Sequence, residues 1–296
     1  VSTSTQNSDE WTVQKVLNWT IDHLKKHGSE SPRLEAEILL SHAHGISRIQ
    51  LYTRYSDILS PEIRGKMREL VQRRAKSEPV AYLVGYREFF SLKFQVSSAV
   101  LIPRPETELI VMEAIEHAKK HQITTPQGID LCTGSGCVGI SCAKKQGTSN
   151  WVLTDISPEA LAVATENVAQ HQLTERVQLR EGNLWDAVPS DATFDLITTN
   201  PPYIPRAEIA GLMQDVTQYE PHLALDGGED GLDLIRHIVR ELPARLRRGG
   251  IFLCEFTPEQ NEAMQALLHG LIPEAQVTML KDSHCQWRVA KLTRPA

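Results

Sequence analysis

Between residues 127 and 255, short apolar runs (128–131, 151–154, 176–181, 194–198 and 251–255) alternate with stretches of helical pattern. This part of the chain therefore reads as βα units feeding a mostly parallel sheet. Two last runs, 276–280 and 286–292, have no long helix between them and are expected to close the sheet as an antiparallel hairpin. Ligands of such sheets bind beyond the carboxyl ends of the strands, which is where candidate functional residues are sought.

The preceding residues have a different rhythm. Val13, Val16, Leu17, Ile21 and Leu24 recur at helical spacing, and Ser31-Pro32 and Ser60-Pro61 each place a capping serine before a proline at the first helical position. Residues 86–96 (YREFFSLKFQV) alternate around Ser91, a hairpin signal. At 296 residues two domains are expected. The reading is a polar tail over 1–10, a helical bundle over 11–77, a hairpin-bearing linker over 78–100 and an α/β domain over 101–296. Residues 1–100 carry net charge +3 and the remainder −9. The basic excess lies mainly on one helix, at Arg64, Lys66, Arg68, Arg73, Arg74 and Lys76, either as a solvated face or as a dock for an acidic partner. The five cysteines contain no C-x-x-C pair, so no zinc ribbon or disulfide framework is expected. No run reaches membrane-spanning length and the first ten residues lack a secretory segment, which points to a cytoplasmic protein.

Asp130, Leu131, Cys132, Thr133, Gly134 and Gly136 follow the first strand of the α/β region and precede a helix, so glycines let the backbone turn beside a ligand. The loop is read as lacking the third glycine of the dinucleotide fingerprint, and it lacks the Gly-Lys-Ser/Thr of a phosphate loop; both disfavour a pyrophosphate. An acid at the strand end suits a cationic or hydroxylated ligand. Asp155, followed by Ile156, ends the next strand where a carboxylate can accept two ribose hydroxyls. Asn183, Leu184 and Trp185 follow the third strand, and Trp185 offers a face for a base, although a lone Trp is more often core. Together these residues resemble the S-adenosyl-L-methionine pocket of class I, Rossmann-like methyltransferases.

Asn200-Pro201-Pro202-Tyr203 follows the fourth strand, and two prolines cannot extend a sheet because neither has an N–H to donate. The stiff turn is expected to aim the Asn200 side-chain oxygen and the Pro201 carbonyl into the site, with Tyr203 as a flat wall. Two acceptors and a π face match a planar NH₂ conjugated to a carbonyl or a ring: a glutamine amide, adenine or cytosine. The long connection over 201–231 is expected to form a lid, hinged at Gly227-Gly228.

With residues 78–85 (EPVAYLVG), 100–108 (VLIPRPETE) and 220–232 (EPHLALDGGEDGL), the chain closely resembles the HemK/PrmC family of release factor glutamine methyltransferases. The resemblance implies an N-terminal helical bundle, a hairpin linker and a class I methyltransferase domain. It implies transfer of a methyl group from S-adenosyl-L-methionine, leaving S-adenosyl-L-homocysteine, to the Gly-Gly-Gln glutamine of class I release factors. No metal, nucleic acid or membrane is expected to take part, and a monomer is the default. By the same resemblance Asp130 to Gly134 meet the methionine part, Asp155 the ribose and Trp185 the adenine; Asn200 to Tyr203 hold the glutamine, and Arg104, Glu106 and Thr107 order the site. Cys132 departs from the family's usual glycine and would be strained at positive φ. A ribosomal-protein glutamine or a nucleic-acid adenine is the alternative acceptor, the latter opposed by the acidic catalytic region.

Overall fold

The N-terminal rhythm becomes five helices: α1 (Val13–Lys26), α2 (Pro32–His44), α3 (Arg48–Thr53), α4 (Pro61–Arg74) and α5 (Val80–Val84). The computed structural model describes residues 10–296, so the expected tail, Glu10 apart, lies outside the described residues. Two compact units divide between Gly85 and Tyr86. In the first, Leu24, Leu39, Leu40, Leu51 and Leu59 are fully buried. Ser60 caps α4, accepting from Ile63 N at 3.3 Å. Ser31 does not cap α2: its backbone (φ −129°, ψ 52°) departs from the extended form of a working cap and no side-chain bond forms. Glu37 is buried and accepts from Arg33, Arg48 and Tyr52. On the basic helix, Lys66 pairs with Glu62, Arg73 with Glu78 and Arg74 with Glu35, so part of that charge is balanced within the unit.

The expected linker is not a separate piece, because α5 belongs to the first unit and the hairpin of β1 (Tyr86–Phe89) and β2 (Leu92–Gln95) to the second. The hairpin turns through Phe90 and Ser91, at φ 50° and 59°, the sign of a two-residue turn that matches strand twist. It is tied down by Asn167, whose Oδ1 accepts from Gln95 N at 2.7 Å and whose Nδ2 donates to Gln95 O and Ser135 O.

The rest of the second unit runs α6 (Glu108–Lys120), β3 (Gln127–Leu131), α7 (Cys137–Lys145), β4 (Asn150–Asp155), α8 (Pro158–Gln170), β5 (Val177–Glu181), β6 (Phe194–Thr199), α9 (Gln214–Tyr219), α10 (Asp233–Arg245), β7 (Leu246–Glu255), α11 (Asn261–Leu268), β8 (Gln276–Lys281) and β9 (Trp287–Thr293). The strand order is β5-β4-β3-β6-β7-β9-β8, parallel from β5 to β7, with β9 antiparallel to both its neighbours. Both faces are covered. Along β7, Ile251 and Leu253 join one core with α6 and α7, while Phe252 and Cys254 join the other with α10 and α11. The chain leaves β3 toward β4 and β5, then returns to lay β6 on β3's other side. That reversal opens a crevice beyond the carboxyl ends of β3 and β6, and the two sequence motifs lie there.

The connection 201–231 is more ordered than expected. It contains α9 and short 3₁₀ turns, and Ile204 bridges to Asp226. Gly227 and Gly228 leave no space for a side chain: a Cβ on Gly227 would fall 2.7 Å from Gly231 O, and one on Gly228 would run into the Asp233 carboxylate. No helix among the described residues is long and apolar enough to cross a membrane.

Candidate active site

A cavity of about 1120 Å³, its open mouth included, lies at the carboxyl ends of β3, β4 and β6. Asp130, Cys132, Thr133, Gly134, Asp155, Ile156, Asn183, Leu184, Thr107, Asn200 and Pro202 line it, and Val100, Pro103, Leu223 and Leu234 add apolar wall. Leu131, Gly136, Trp185, Arg104, Glu106, Pro201 and Tyr203 are not in the lining.

Asp130, the penultimate residue of β3, is 2% exposed. Its Oδ2 accepts from Thr133 Oγ1 at 2.5 Å and Gly139 N at 3.4 Å, and its Oδ1 from Thr198 Oγ1 at 2.7 Å. Burial pushes its carboxyl up to about 6, opposed by those donors. Asp155 ends β4, accepting from Gly134 N at 2.8 Å and Ser157 N at 3.0 Å, and burial raises it too. The loop between them is strained. Cys132 sits at φ 56° and Leu184, on the far wall, at φ 52°, a conformation that costs a residue with a Cβ about 1–3 kcal/mol. Burial raises the Cys132 thiol well above its ordinary range, so it is a neutral packing group rather than a nucleophile.

Two sequence expectations need correction. Gly139 supplies the third glycine at the Gly134-x-Gly136-x-x-Gly139 spacing; a Cβ there would run into Leu153, so it lets α7 pack against the sheet. The argument against a pyrophosphate rests instead on the lining. Among the described residues it holds two carboxylates and no Lys, Arg or His, a poor match for a polyanion and a good one for a cation. Trp185 is no adenine platform. It is 5% exposed, packs in the core, and donates Nε1 to Ile238 O at 3.1 Å, leaving the apolar walls near a base to Ile156 and Leu184.

On the acceptor side Asn200 lines the cavity and its Nδ2 donates to Thr107 Oγ1 at 3.2 Å, which leaves Oδ1 as the amide's acceptor, with no partner among the described residues. Tyr203 is not the expected wall. Its ring packs at the edge of the core, its hydroxyl donates to Glu255 Oε1 at 2.9 Å, and its carbonyl accepts from Gln260 Nε2 at 2.9 Å. Arg104, outside the lining, pairs with Glu220 Oε1 at 2.6 Å. Glu255 and Thr198 were not read from the sequence, although Glu255 ends an apolar strand just as Asp155 ends its own.

This strand order, with a glycine loop and two strand-end carboxylates at the reversal, defines a Rossmann-like methyltransferase domain. The fold is similar to that of the hMettl16 catalytic domain solved with a MAT2A hairpin (TM-score 0.55, 16% identity, 69% of this chain and 76% of that one). It is also similar to a T. thermophilus 16S rRNA methyltransferase solved with AdoMet and guanosine (TM-score 0.50, 17% identity, 71% of this chain and 49% of that one). Residues 15–85 match the PrmC N-terminal domain and residues 107–229 the methyltransferase small domain. The chain is 44% identical to the release factor glutamine methyltransferase of Rhodopirellula baltica, across 86% of each chain. It is 43% identical to that of Geobacter sulfurreducens (88% and 89% covered) and 36% identical to that of Caulobacter vibrioides (94% and 96%). It belongs to the release factor glutamine methyltransferase family.

Proposed function

We propose that the protein transfers a methyl group from S-adenosyl-L-methionine to the side-chain amide nitrogen of the Gly-Gly-Gln glutamine in class I release factors. The observation that carries this reading is the Asn200 amide, held by its nitrogen on Thr107 so that its oxygen is left to accept beside the cavity. Membership of a family whose relatives bear that activity in their names supports it.

The lining fits the cofactor: two carboxylates and no cationic side chain favour a sulfonium with a free amino group. Asp130 and the backbone from Cys132 to Gly134 would hold the methionine part, Asp155 the ribose, and Ile156, Asn183 and Leu184 the adenine. When bound, S-adenosyl-L-methionine supplies an electrophilic methyl group on a positively charged sulfur. The chain supplies the acceptor's geometry. A carboxamide nitrogen is a weak nucleophile because its lone pair is delocalised into the carbonyl. Asn200 Oδ1, accepting from the amide N–H, favours charge on nitrogen and fixes its direction of attack. Oriented attack of this kind can supply several kcal/mol of the barrier reduction, and fixed acceptors stabilise the positive charge that develops on nitrogen.

We read the protein as a cytoplasmic monomer whose partner is the release factor itself, with no metal or nucleic acid involved. The test offers labelled cofactor and this protein a purified class I release factor, large-subunit ribosomal protein and DNA or RNA, in parallel. Label on the release factor alone is expected; label on ribosomal protein or nucleic acid instead would overturn the assignment.

A further inference from the structure

The acceptor turn is braced by a group outside the cavity lining. Glu255, the last residue of β7, is 1% exposed and follows four apolar residues, Ile251 to Cys254. Its Oε1 takes the Tyr203 hydroxyl at 2.9 Å, while Oε2 is buried and finds no donor in full hydrogen-bond geometry among the described residues. Thr107, whose Oγ1 takes the Asn200 amide, stands next to this carboxyl, and its hydroxyl and that of Tyr203 oppose the upward pull of burial on the acid. A buried carboxyl met only by two side-chain hydroxyls is a poor stabilising device. Departures from local consistency of this sort gather at functional sites.

We propose that Glu255 is a positioning residue for methyl transfer, holding Tyr203 through its hydroxyl and standing behind the Thr107 that holds Asn200. The proposal rests on the reading of Asn200 to Tyr203 as the acceptor site. Glu255 touches neither cofactor nor glutamine. It fixes the hydroxyl end of Tyr203 while Gln260 fixes the carbonyl, so the Tyr203 end of the turn is anchored twice, from the end of β7 and the segment after it, and Thr107 holds the Asn200 end. Misplacement of a reacting group by about 1 Å can cost on the order of 100-fold in rate, which sets the scale expected on releasing the brace.

The test measures kcat and KM for release factor methylation, and S-adenosyl-L-homocysteine affinity by calorimetry, for wild type, Glu255→Ala, Glu255→Gln, Tyr203→Phe and Glu255→Ala/Tyr203→Phe. Glu255→Ala and Tyr203→Phe should each lower kcat about 10- to 100-fold, with cofactor-product affinity changed less than about twofold. The double variant should be no worse than the weaker single one, because both remove the same bond. Glu255→Gln, which keeps an acceptor for Tyr203, should recover most of the rate. Tyr203→Phe breaks the bond without opening a hole, so the proposal stays testable if Glu255→Ala does not fold. Wild-type kcat in Tyr203→Phe, multiplying losses in the double variant, or kcat and cofactor affinity falling together without rescue by glutamine would each overturn the role. A wild-type protein that leaves the release factor unmethylated would instead overturn the acceptor assignment, and the proposal with it.

Discussion

The two halves of the active site are held together over very different lengths of chain. On the cofactor side most partners are near in sequence: Asp130 takes Thr133 three residues away and Gly139 nine away, with Thr198 of the neighbouring strand 68 away, and Asp155 takes Ser157 two away and Gly134 21 away. On the acceptor side the Asn200–Thr107 bond spans 93 residues, Tyr203–Glu255 52 and Gln260–Tyr203 57. A loop between a strand and the next helix can order itself. A stiff turn at the end of β6 points usefully only when distant elements hold it. The cofactor half should therefore fail locally, through affinity, and the acceptor half through rate.

The largest effect is expected from Asn200→Ala. Loss of a preorganised acceptor should lower kcat about 100- to 1000-fold, with calorimetric affinity for the cofactor product within about twofold of wild type. Equal losses in both would mean that the halves are one unit. Asp155→Asn should show the opposite signature. It removes charge-assisted acceptors, each typically about 1.5–3 kcal/mol, so cofactor affinity should fall about 10- to 100-fold, while kcat at saturating cofactor changes much less.

A smaller effect follows from Asp130. Its carboxyl is raised to about 6 in the folded protein, so it binds protons there more readily than in the unfolded chain. Its contribution to stability is therefore unfavourable at neutral pH and is relieved as pH falls through about 6 toward the ordinary range near 4. Cofactor affinity should run the other way, falling severalfold between about pH 7 and pH 5 as one of the two anions lining the cavity is lost. Calorimetric titrations in buffers of different ionisation enthalpy should show proton release on binding near pH 6; a pH-independent affinity would remove Asp130 from the electrostatic account. The smallest effect is Cys132→Gly. Relief of positive-φ strain, partly offset by glycine's unfolded-state entropy, should raise stability by up to about 1 kcal/mol, read as a midpoint shift in denaturant.

The same contrast explains what could be read in advance. Asp130, Gly134 and Asp155 announce themselves because a strand end, a turn and a helix start are consecutive in sequence. The parallel sheet followed from unbroken apolar strands such as 251–254, which the structure buries on both faces. Trp185 misled because aromatic character does not say which way a ring faces; here it faces Ile238 and the core. The Gly227-Gly228 pair was read for freedom, whereas the structure gives glycine there a second reason, close approach to Gly231 and Asp233. Tyr203 was legible as part of a motif, but its partner Glu255 was not, because no local pattern tells β7 to end beside that hydroxyl.

The most direct test of the central claim is peptide mass spectrometry of a class I release factor incubated with this protein and S-adenosyl-L-methionine, with Asn200→Ala as the control. One methyl group on the Gly-Gly-Gln glutamine, absent with the variant, is the predicted result. A methyl group on any other residue, or undiminished methylation of that glutamine by Asn200→Ala, would contradict the account.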